Sequence, residues 1–390
     1  MGKLWIAGVL RVFMIGASLT IWGRWQTPES MAANAETKAE DEIPEFFPAS
    51  EPVKDGDLEY QVVASPVWPM PGTDKNGVSI VQIQLRATNC GKDNTLFQPC
   101  VGFPYLKKGN DEWVRPEWYG NDHLRIPPTP ISIAPGGSAT AKLPFKLHDF
   151  SNGSLFAQNG ICLCWEDHSG GYMGLEKLQQ RRYALELHYK KLGSQELLRE
   201  IETKPITVEI RELKASAPVI KDNFEIYALA DATWPVPGEG TTSRIALGFR
   251  VINRQSHSAL MMPNIAAMKI RSADGTDLPV KKSPGKISHP FPELLNMWYD
   301  TSHTFAEPAL LRQSAGGLEL TWSDVVGNVW KIEDLRPGKY QVRYVVQGYL
   351  WPAKEALDYV NQVRSGIAPA RLPPFTGEME TASVDIEIRK

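Results

Sequence analysis

The chain contains two stretches that resemble each other in content and order, and this internal repeat constrains the fold more than any other feature. Both stretches carry a Trp-Pro-x-Pro-Gly motif, then a tyrosine-rich segment, then a closing Glu-Ile-Arg segment. These features lie at 68–72 and 234–238, at 183–189 and 340–344, and at 207–211 and 385–389. Matching order over so many positions predicts a duplicated domain.

Each copy has the pattern of β-strands. Ile80 to Leu85 and Val384 to Arg389 alternate apolar and polar residues, the period of a half-buried antiparallel strand. The segment Leu335 to Tyr340, with its Pro-Gly turn before a tyrosine, resembles the turn that enters a late strand of immunoglobulin-like and fibronectin-type sandwiches. The resemblance implies an all-β protein of two tandem β-sandwich domains. A short helical insertion is expected near the end of each, at 352–363 and 194–202.

These patterns divide the chain into five parts. We expect a signal peptide or N-terminal membrane anchor, a flexible acidic and proline-rich tether, a first sandwich with four cysteines and an aromatic loop insertion, a linker, and a second sandwich. The boundaries are 1–35, 36–57, 58–213, 214–221 and 222–390.

The first residues predict export. Lys3 and Arg11 give a positive start, and the apolar stretch from Val12 to Trp22 has the length of a signal-peptide core. Ala33 to Ala35 fits a cleavage site of small residues, which would leave Glu36 as the mature start. The long spacer before this site keeps an uncleaved membrane anchor as the alternative. We therefore expect a periplasmic, cell-surface or secreted protein that touches a membrane only through this segment.

The composition suits a loop-rich β-protein. Hydrophobic residues make up 42% of the 390 residues and charged residues 22%, which is enough for sizeable cores. Gly (31) and Pro (30) are plentiful. The formal net charge of −3 provides no basic field for nucleic acid, so we expect no nucleic-acid partner.

The cysteines all lie in the first copy. In an oxidising compartment, Cys90, Cys100, Cys162 and Cys164 are disulfide candidates with three possible pairings. Cys162 and Cys164 share one face of a strand, so a bond between them is expected to be strained, and pairing of each with Cys90 or Cys100 stays open. A weaker alternative is a metal site in which His168 joins Cys162 and Cys164.

Aromatic residues give the candidate ligand site. Trp113, Trp118 and Tyr119 crowd a predicted loop beside carboxylates, a combination that can hold sugar rings. The alternative is that they close the end of the sandwich. Trp68 and Trp234 occur in both copies, which indicates a structural role for them.

No catalytic or cofactor motif stands out, and we expect no cofactor. The sequence therefore favours a non-catalytic binding or scaffold protein of the cell envelope, whose partner is another envelope protein or a surface glycan. Two alternatives come from other classes. One is a carbohydrate-binding module using the aromatic loop, and the other is a metal-handling protein or enzyme using Cys162, Cys164 and His168.

Overall fold

A computed structural model gives the architecture of most of the chain. Within the residues that it describes, no helix is long and apolar enough to cross a membrane. The described residues are 46–72, 77–98, 103–109, 112–114, 116–121, 130–149, 160–166, 171–190, 200–254, 259–261, 264–283, 295–297, 301–323, 328–348, 351–352 and 377–390.

The fold is all-β: every regular element in the described residues is a strand. Up to residue 211 the strands are β1 (Val53–Asp55), β2 (Leu58–Ala64), β3 (Val67–Pro69), β4 (Gly77–Asn89), β5 (Thr95–Phe97), β6 (Phe103–Lys108), β7 (Glu112–Val114), β8 (Glu117–Asn121), β9 (Ile131–Ile133), β10 (Ser138–Asp149), β11 (Ile161–Glu166), β12 (Gly171–Leu178), β13 (Arg181–Lys190), β14 (Glu200–Glu202) and β15 (Ile206–Arg211).

The strands continue to the last residues of the chain. They are β16 (Lys214–Ala215), β17 (Val219–Lys221), β18 (Phe224–Ala230), β19 (Thr233–Pro235), β20 (Thr242–Asn253), β21 (Ala259–Met261), β22 (Asn264–Ser272), β23 (Lys281–Ser283), β24 (Leu295–Met297), β25 (Ser302–Ser314), β26 (Gly317–Ser323), β27 (Val329–Leu335), β28 (Gly338–Gly348), β29 (Trp351–Pro352), β30 (Gly377–Glu380) and β31 (Val384–Arg389).

One large sheet runs through the molecule, and two smaller sheets complete the sandwich-like layers. The 15-stranded sheet has the order β16-β18-β20-β25-β4-β10-β11-β12-β8, with further strands pairing off this path. A 6-stranded sheet has the order β3-β15-β13-β6-β7 with β14 beside β13, and a 5-stranded sheet has the order β19-β31-β28-β22 with β30 beside β28. Shorter sheets join β24-β21-β29 and β5-β9.

The two largest hydrophobic cores of the described residues lie against this large sheet. One gathers buried residues between positions 58 and 210 (the first unit) and the other between 224 and 388 (the second unit). In β4, Val81, Ile83 and Leu85 belong to the first core, while Ile80 packs against the second. Since successive side chains of a strand point to opposite faces, the two cores flank opposite faces of the sheet where β4 lies.

The two Trp-Pro segments make the same contacts. Both indole rings are fully buried. Nε1 of Trp68 donates to the carbonyl oxygen of Ser65 at 3.0 Å, and Nε1 of Trp234 donates to that of Asp231 at 3.0 Å. In each case the short strand that carries the tryptophan pairs in parallel with the closing strand, β3 with β15 and β19 with β31.

The tyrosine-rich strands also share a contact. The Tyr183 hydroxyl accepts from the backbone N–H of Gln179 at 2.8 Å and donates to its carbonyl oxygen at 3.2 Å. The Tyr340 hydroxyl makes the same two bonds to Arg336, at 3.1 and 2.9 Å. Both tyrosines thereby close the turn that enters a central strand, β13 or β28.

Only the end of the first predicted helical segment and the start of the second lie within the described residues. Glu200–Glu202 is strand β14 and Trp351–Pro352 is strand β29, so the helix expected over 194–202 does not reach Glu202, and the one expected from Pro352 does not begin there. Glu200–Glu202 pairs with β13 and Trp351–Pro352 pairs with β21, and this pairing replaces a helix at these residues. The rest of both segments, the leader and the tether up to residue 45 lie outside the described residues.

Candidate functional site

The aromatic segment at 112–121 forms two strands rather than the loop that its sequence suggests. Strand β7 pairs with β6 in the 6-stranded sheet, and β8 pairs with β12 in the large sheet. Trp113 therefore lies in a different sheet from Trp118 and Tyr119. Trp118 is the register partner of Met173, whose side chain is buried in the first core. The three aromatics do not share one sheet.

Trp113 instead joins residues that are distant in sequence, on the outer face of the 6-stranded sheet. Its ring meets Tyr105 edge-on, with centroids 6.4 Å apart and planes at 82°. His188 stacks on Tyr105 with ring centroids 3.9 Å apart. Nζ of Lys107 lies 5.6 Å from the centre of the Trp113 ring. With the carboxylates described next, we call this group the aromatic ledge; it consists of Tyr105, Lys107, Trp113, Glu186, His188, Glu200 and Glu202.

Strand alternation places these side chains on the outer face. In β6, Pro104 and Leu106 are buried, while Tyr105 and Lys107 are half-buried. Strand β13 alternates in the same way and pairs in register with β6, so that Tyr105 faces Glu186. The inward residues fill the first core, and the outward ones form a continuous surface.

The ledge is acidic around His188. Nε2 of His188 lies 3.7 Å from Oε2 of Glu186, and Nδ1 lies 3.3 Å from Oε1 of Glu200. Glu202 is the register partner of His188 on β14 and is exposed. Burial raises the pKa of the Glu186 carboxyl, although the adjacent His188 opposes that shift. The Glu186 side chain is thus largely shielded from water, with 17% of it exposed.

The outer face of the 5-stranded sheet is built differently. Nζ of Lys269 and Nη1 of Arg343 both contact Oε1 of Glu380, at 3.0 and 2.9 Å. Asp277 is held by Arg271, at 2.7 Å, and by Arg343, at 3.8 Å. Cations from neighbouring strands neutralise the acids of this face, and these contacts include no aromatic ring.

The two units meet where β25 lies beside β4 and where Arg211 contacts Asp231, and we call this contact region the seam. Strand β25 pairs in parallel with β4 over the three residues Ser302 to Thr304. Nearby, Nη2 of Arg211 donates to Oδ2 of Asp231 at 2.6 Å, and the same oxygen accepts from the backbone N–H of Ala246 at 2.7 Å. Burial raises the pKa of Asp231 despite the attraction of the Arg211 guanidinium.

Two histidines lie on one face of this seam. His303 on β25 and His148 on β10 are both register partners of Val78 on the intervening strand β4. Burial lowers the pKa of each imidazole to about 3, and Lys146 adds to the shift. Both histidines are therefore neutral at neutral pH.

The cysteine pair lies on the next strand, β11, where Cys162 extends the register row of the two histidines. Cys162 is the partner of His148, and Cys164 is the partner of Lys146. Both thiols are buried and free, with their Sγ atoms 3.2 Å apart, and Cys90 is exposed and free. The hydrogen bond with Cys162 and burial together raise the pKa of the Cys164 thiol, which keeps it protonated.

The remaining candidates yield no assembled metal site in the part of the chain that the structure describes. There, no three His, Cys, Asp or Glu side chains come together in a way that could hold a metal ion. His168 of the predicted metal group and Cys100 of the disulfide candidates lie outside the described residues. The ledge provides a surface that could bind a partner, and the seam provides buried polar contacts.

No protein-family model matches the chain, and no curated protein matches its sequence.

Sequence analysis singled out Trp113 but missed Tyr105, Glu186 and His188. These residues belong to strands separated by about 80 positions, and only strand pairing brings them together. A signal was present, since aromatic and charged residues occupy the outward positions of two alternating strands. His148 and His303 are also brought together only by strand pairing, since each is a single histidine within its own strand.

Proposed function

We propose that the chain is a non-catalytic binding protein made of two immunoglobulin-like β-sandwiches in tandem. The tyrosine contacts support this reading. In immunoglobulin-like domains a tyrosine near the start of a late strand bonds back to backbone a few residues upstream, as Tyr183 does to Gln179 and Tyr340 does to Arg336. The matching bonds of Trp68 and Trp234 support a duplication.

The observation that carries the binding role is the aromatic ledge itself. The ledge brings half-buried aromatic rings and carboxylates together on an outer sheet face, where they fill no core. Protein interfaces are enriched in tyrosine and tryptophan, whose large rings lose little side-chain entropy on binding. The seam supports the role of scaffold, since a strand pairing and the partly buried ion pair of Arg211 with Asp231 join the two units.

The proposed location is the cell envelope, outside the cytoplasm. Its support is the leader pattern, in which a positive start precedes a short apolar stretch, Val12 to Trp22. The proposed partner is another envelope protein.

Crosslinking followed by pull-down from envelope extract tests this role. The expected result is that the same protein partner is recovered repeatedly with the wild-type chain and less of it with Trp113→Ala. Repeated failure of the wild-type chain to recover any protein would contradict the proposal.

A second candidate is carbohydrate binding, which the pairing of Trp113 and Tyr105 next to Glu186 favours. Sugar rings stack on aromatic side chains while carboxylates accept their hydroxyl groups. Tryptophan fluorescence titration with soluble cell-wall and plant polysaccharides tests it. Absence of any spectral shift with every glycan would remove this candidate.

A further inference from the structure

The two units place an acid at the same point of the outer face. Backbone N–H of Leu187 donates to Oγ1 of Thr203 at 2.9 Å, and backbone N–H of Tyr344 donates to Oγ1 of Thr381 at 2.9 Å. The residue just before each threonine is an exposed glutamate, Glu202 on β14 or Glu380 on β30. The two glutamates therefore occupy equivalent positions.

Their surroundings differ in charge. Lys269 and Arg343, register partners on β22 and β28, both contact Glu380, at 3.0 and 2.9 Å. The corresponding register partners on β6 and β13 are Tyr105 and Glu186. The first unit thus has an aromatic ring and a second acid where the second unit has two cations, and within the described residues Glu202 forms no ion pair.

Among the described residues, the result is an excess of negative charge beside half-buried rings. The ledge holds three carboxylates, Glu186, Glu200 and Glu202, against Lys107 and the imidazole of His188. Glu202 raises the pKa of Glu186 further, adding to the effect of burial. A cation brought close to these groups would gain attraction from the carboxylates and from the ring quadrupoles.

We propose that the ledge binds a lysine or arginine side chain of a protein partner, which supplies the positive charge that Lys269 and Arg343 supply in the second unit. The inference rests on the proposed binding function and gives the chemistry of its partner. Lys107 lies over one face of the Trp113 ring, with Nζ 5.6 Å from its centre, so the partner's cation would meet the carboxylates and Tyr105 rather than this covered face. One face of Tyr105 is covered by His188, which leaves less open ring surface for a sugar.

The test is isothermal titration with a short glycine–lysine peptide, with a glycine–glutamate peptide as its counterpart. The wild-type chain is expected to bind only the lysine peptide, and more weakly as salt screens the charges. The variant Tyr105→Lys/Glu186→Arg installs the cations of the second unit. It is expected to bind roughly tenfold more weakly, since two ion pairs and a cation–ring contact are lost.

A matched control separates the local effect from overall charge. Ile220→Lys/Glu239→Arg changes the net charge equally at exposed positions of the second unit, and it is expected to leave binding unchanged. Equal affinities in wild-type chain and ledge variant, or no binding of the lysine peptide by wild-type chain, would overturn the inference. So would ledge-dependent binding of polysaccharide without peptide binding, which would favour the carbohydrate role instead.

The pull-down distinguishes this inference from the proposed function. Recovery of a partner that is the same for wild-type chain and the ledge variant would leave the binding role standing and refute the ledge as its site. No recovery by the wild-type chain would refute the binding role itself.

Discussion

The outer faces of the two smaller sheets show how similar strand arrangements carry different chemistry. In the second unit, Lys269 and Arg343 close on Glu380. In the first unit, the matching positions hold Tyr105 and Glu186, and the matching acid, Glu202, pairs in register with His188. The backbone contacts of Thr203 and Thr381 are alike in the two units, while the side chains on the outer faces differ. The second face is neutralised from within, and the first is suited to a cation from outside.

The largest effect is expected where the units agree. Trp68→Ala and Trp234→Ala each remove a fully buried indole and its hydrogen bond, so each should lower the free energy of unfolding by about 3–5 kcal/mol. Urea denaturation measures both losses, with the exposed Leu96→Ala as the control. A cost below about 1 kcal/mol for one of them would show that the two motifs are not equivalent supports.

The seam gives the next largest effect, at a position where the units differ. Asp231, which occupies the place of Ser65, is buried and bound by Arg211. Arg211→Met leaves the Asp231 carboxylate without its cation and should lower the free energy of unfolding by about 2–3 kcal/mol. The loss is smaller than for a fully buried pair because Arg211 is partly exposed. Glu209→Gln, which keeps the Arg211–Asp231 contact, should cost little, and equal costs for the two variants would contradict this role of the seam.

Acidification should weaken the seam. In the folded chain the pKa of His303 is lowered to about 3 from its ordinary value of 6.5. The stability that comes from burying this imidazole in its neutral form is therefore complete above pH 6.5 and is lost as the pH falls toward 3. At pH 5 the loss is at most about 2 kcal/mol. The difference between the urea midpoints at pH 7 and at pH 5 should therefore be larger for the wild-type chain than for His303→Gln. A pH dependence unchanged by this substitution would contradict the assignment.

The smallest effect sharpens the contrast between the faces. Glu380→Gln loses two surface ion pairs and should cost about 0.5–1 kcal/mol. Glu202→Gln relieves repulsion with Glu186 and should cost nothing or stabilise slightly. Differential scanning calorimetry of the two variants measures the difference, and equal losses would mean that Glu202 is also neutralised in the folded chain.

Sequence patterns predicted the class of fold because alternation and turn residues are local. The strands of Ile80 to Leu85 and Val384 to Arg389 lie where their period of two puts them. Local patterns misled at 112–121, where short strands at two sheet edges read as a loop, and at Glu200–Glu202, where pairing with β13 overrides a helical pattern.

The ledge could not be predicted because it depends on register. Trp113, Tyr105 and His188 meet only after β7, β6 and β13 pair, and a shift of one residue would turn every one of these side chains inward. The missing cation beside Glu202 is likewise invisible in sequence, since its counterpart at Glu380 comes from two other strands.

The ledge is proposed to bind a cation because, among the described residues, no lysine or arginine pairs with Glu202 as Lys269 and Arg343 pair with Glu380. The most direct test is titration of the lysine peptide into Glu202→Gln and Glu380→Gln, which make the same chemical change at equivalent positions. The account predicts weaker peptide binding for Glu202→Gln and unchanged binding for Glu380→Gln. Equal affinities in the two variants would contradict it.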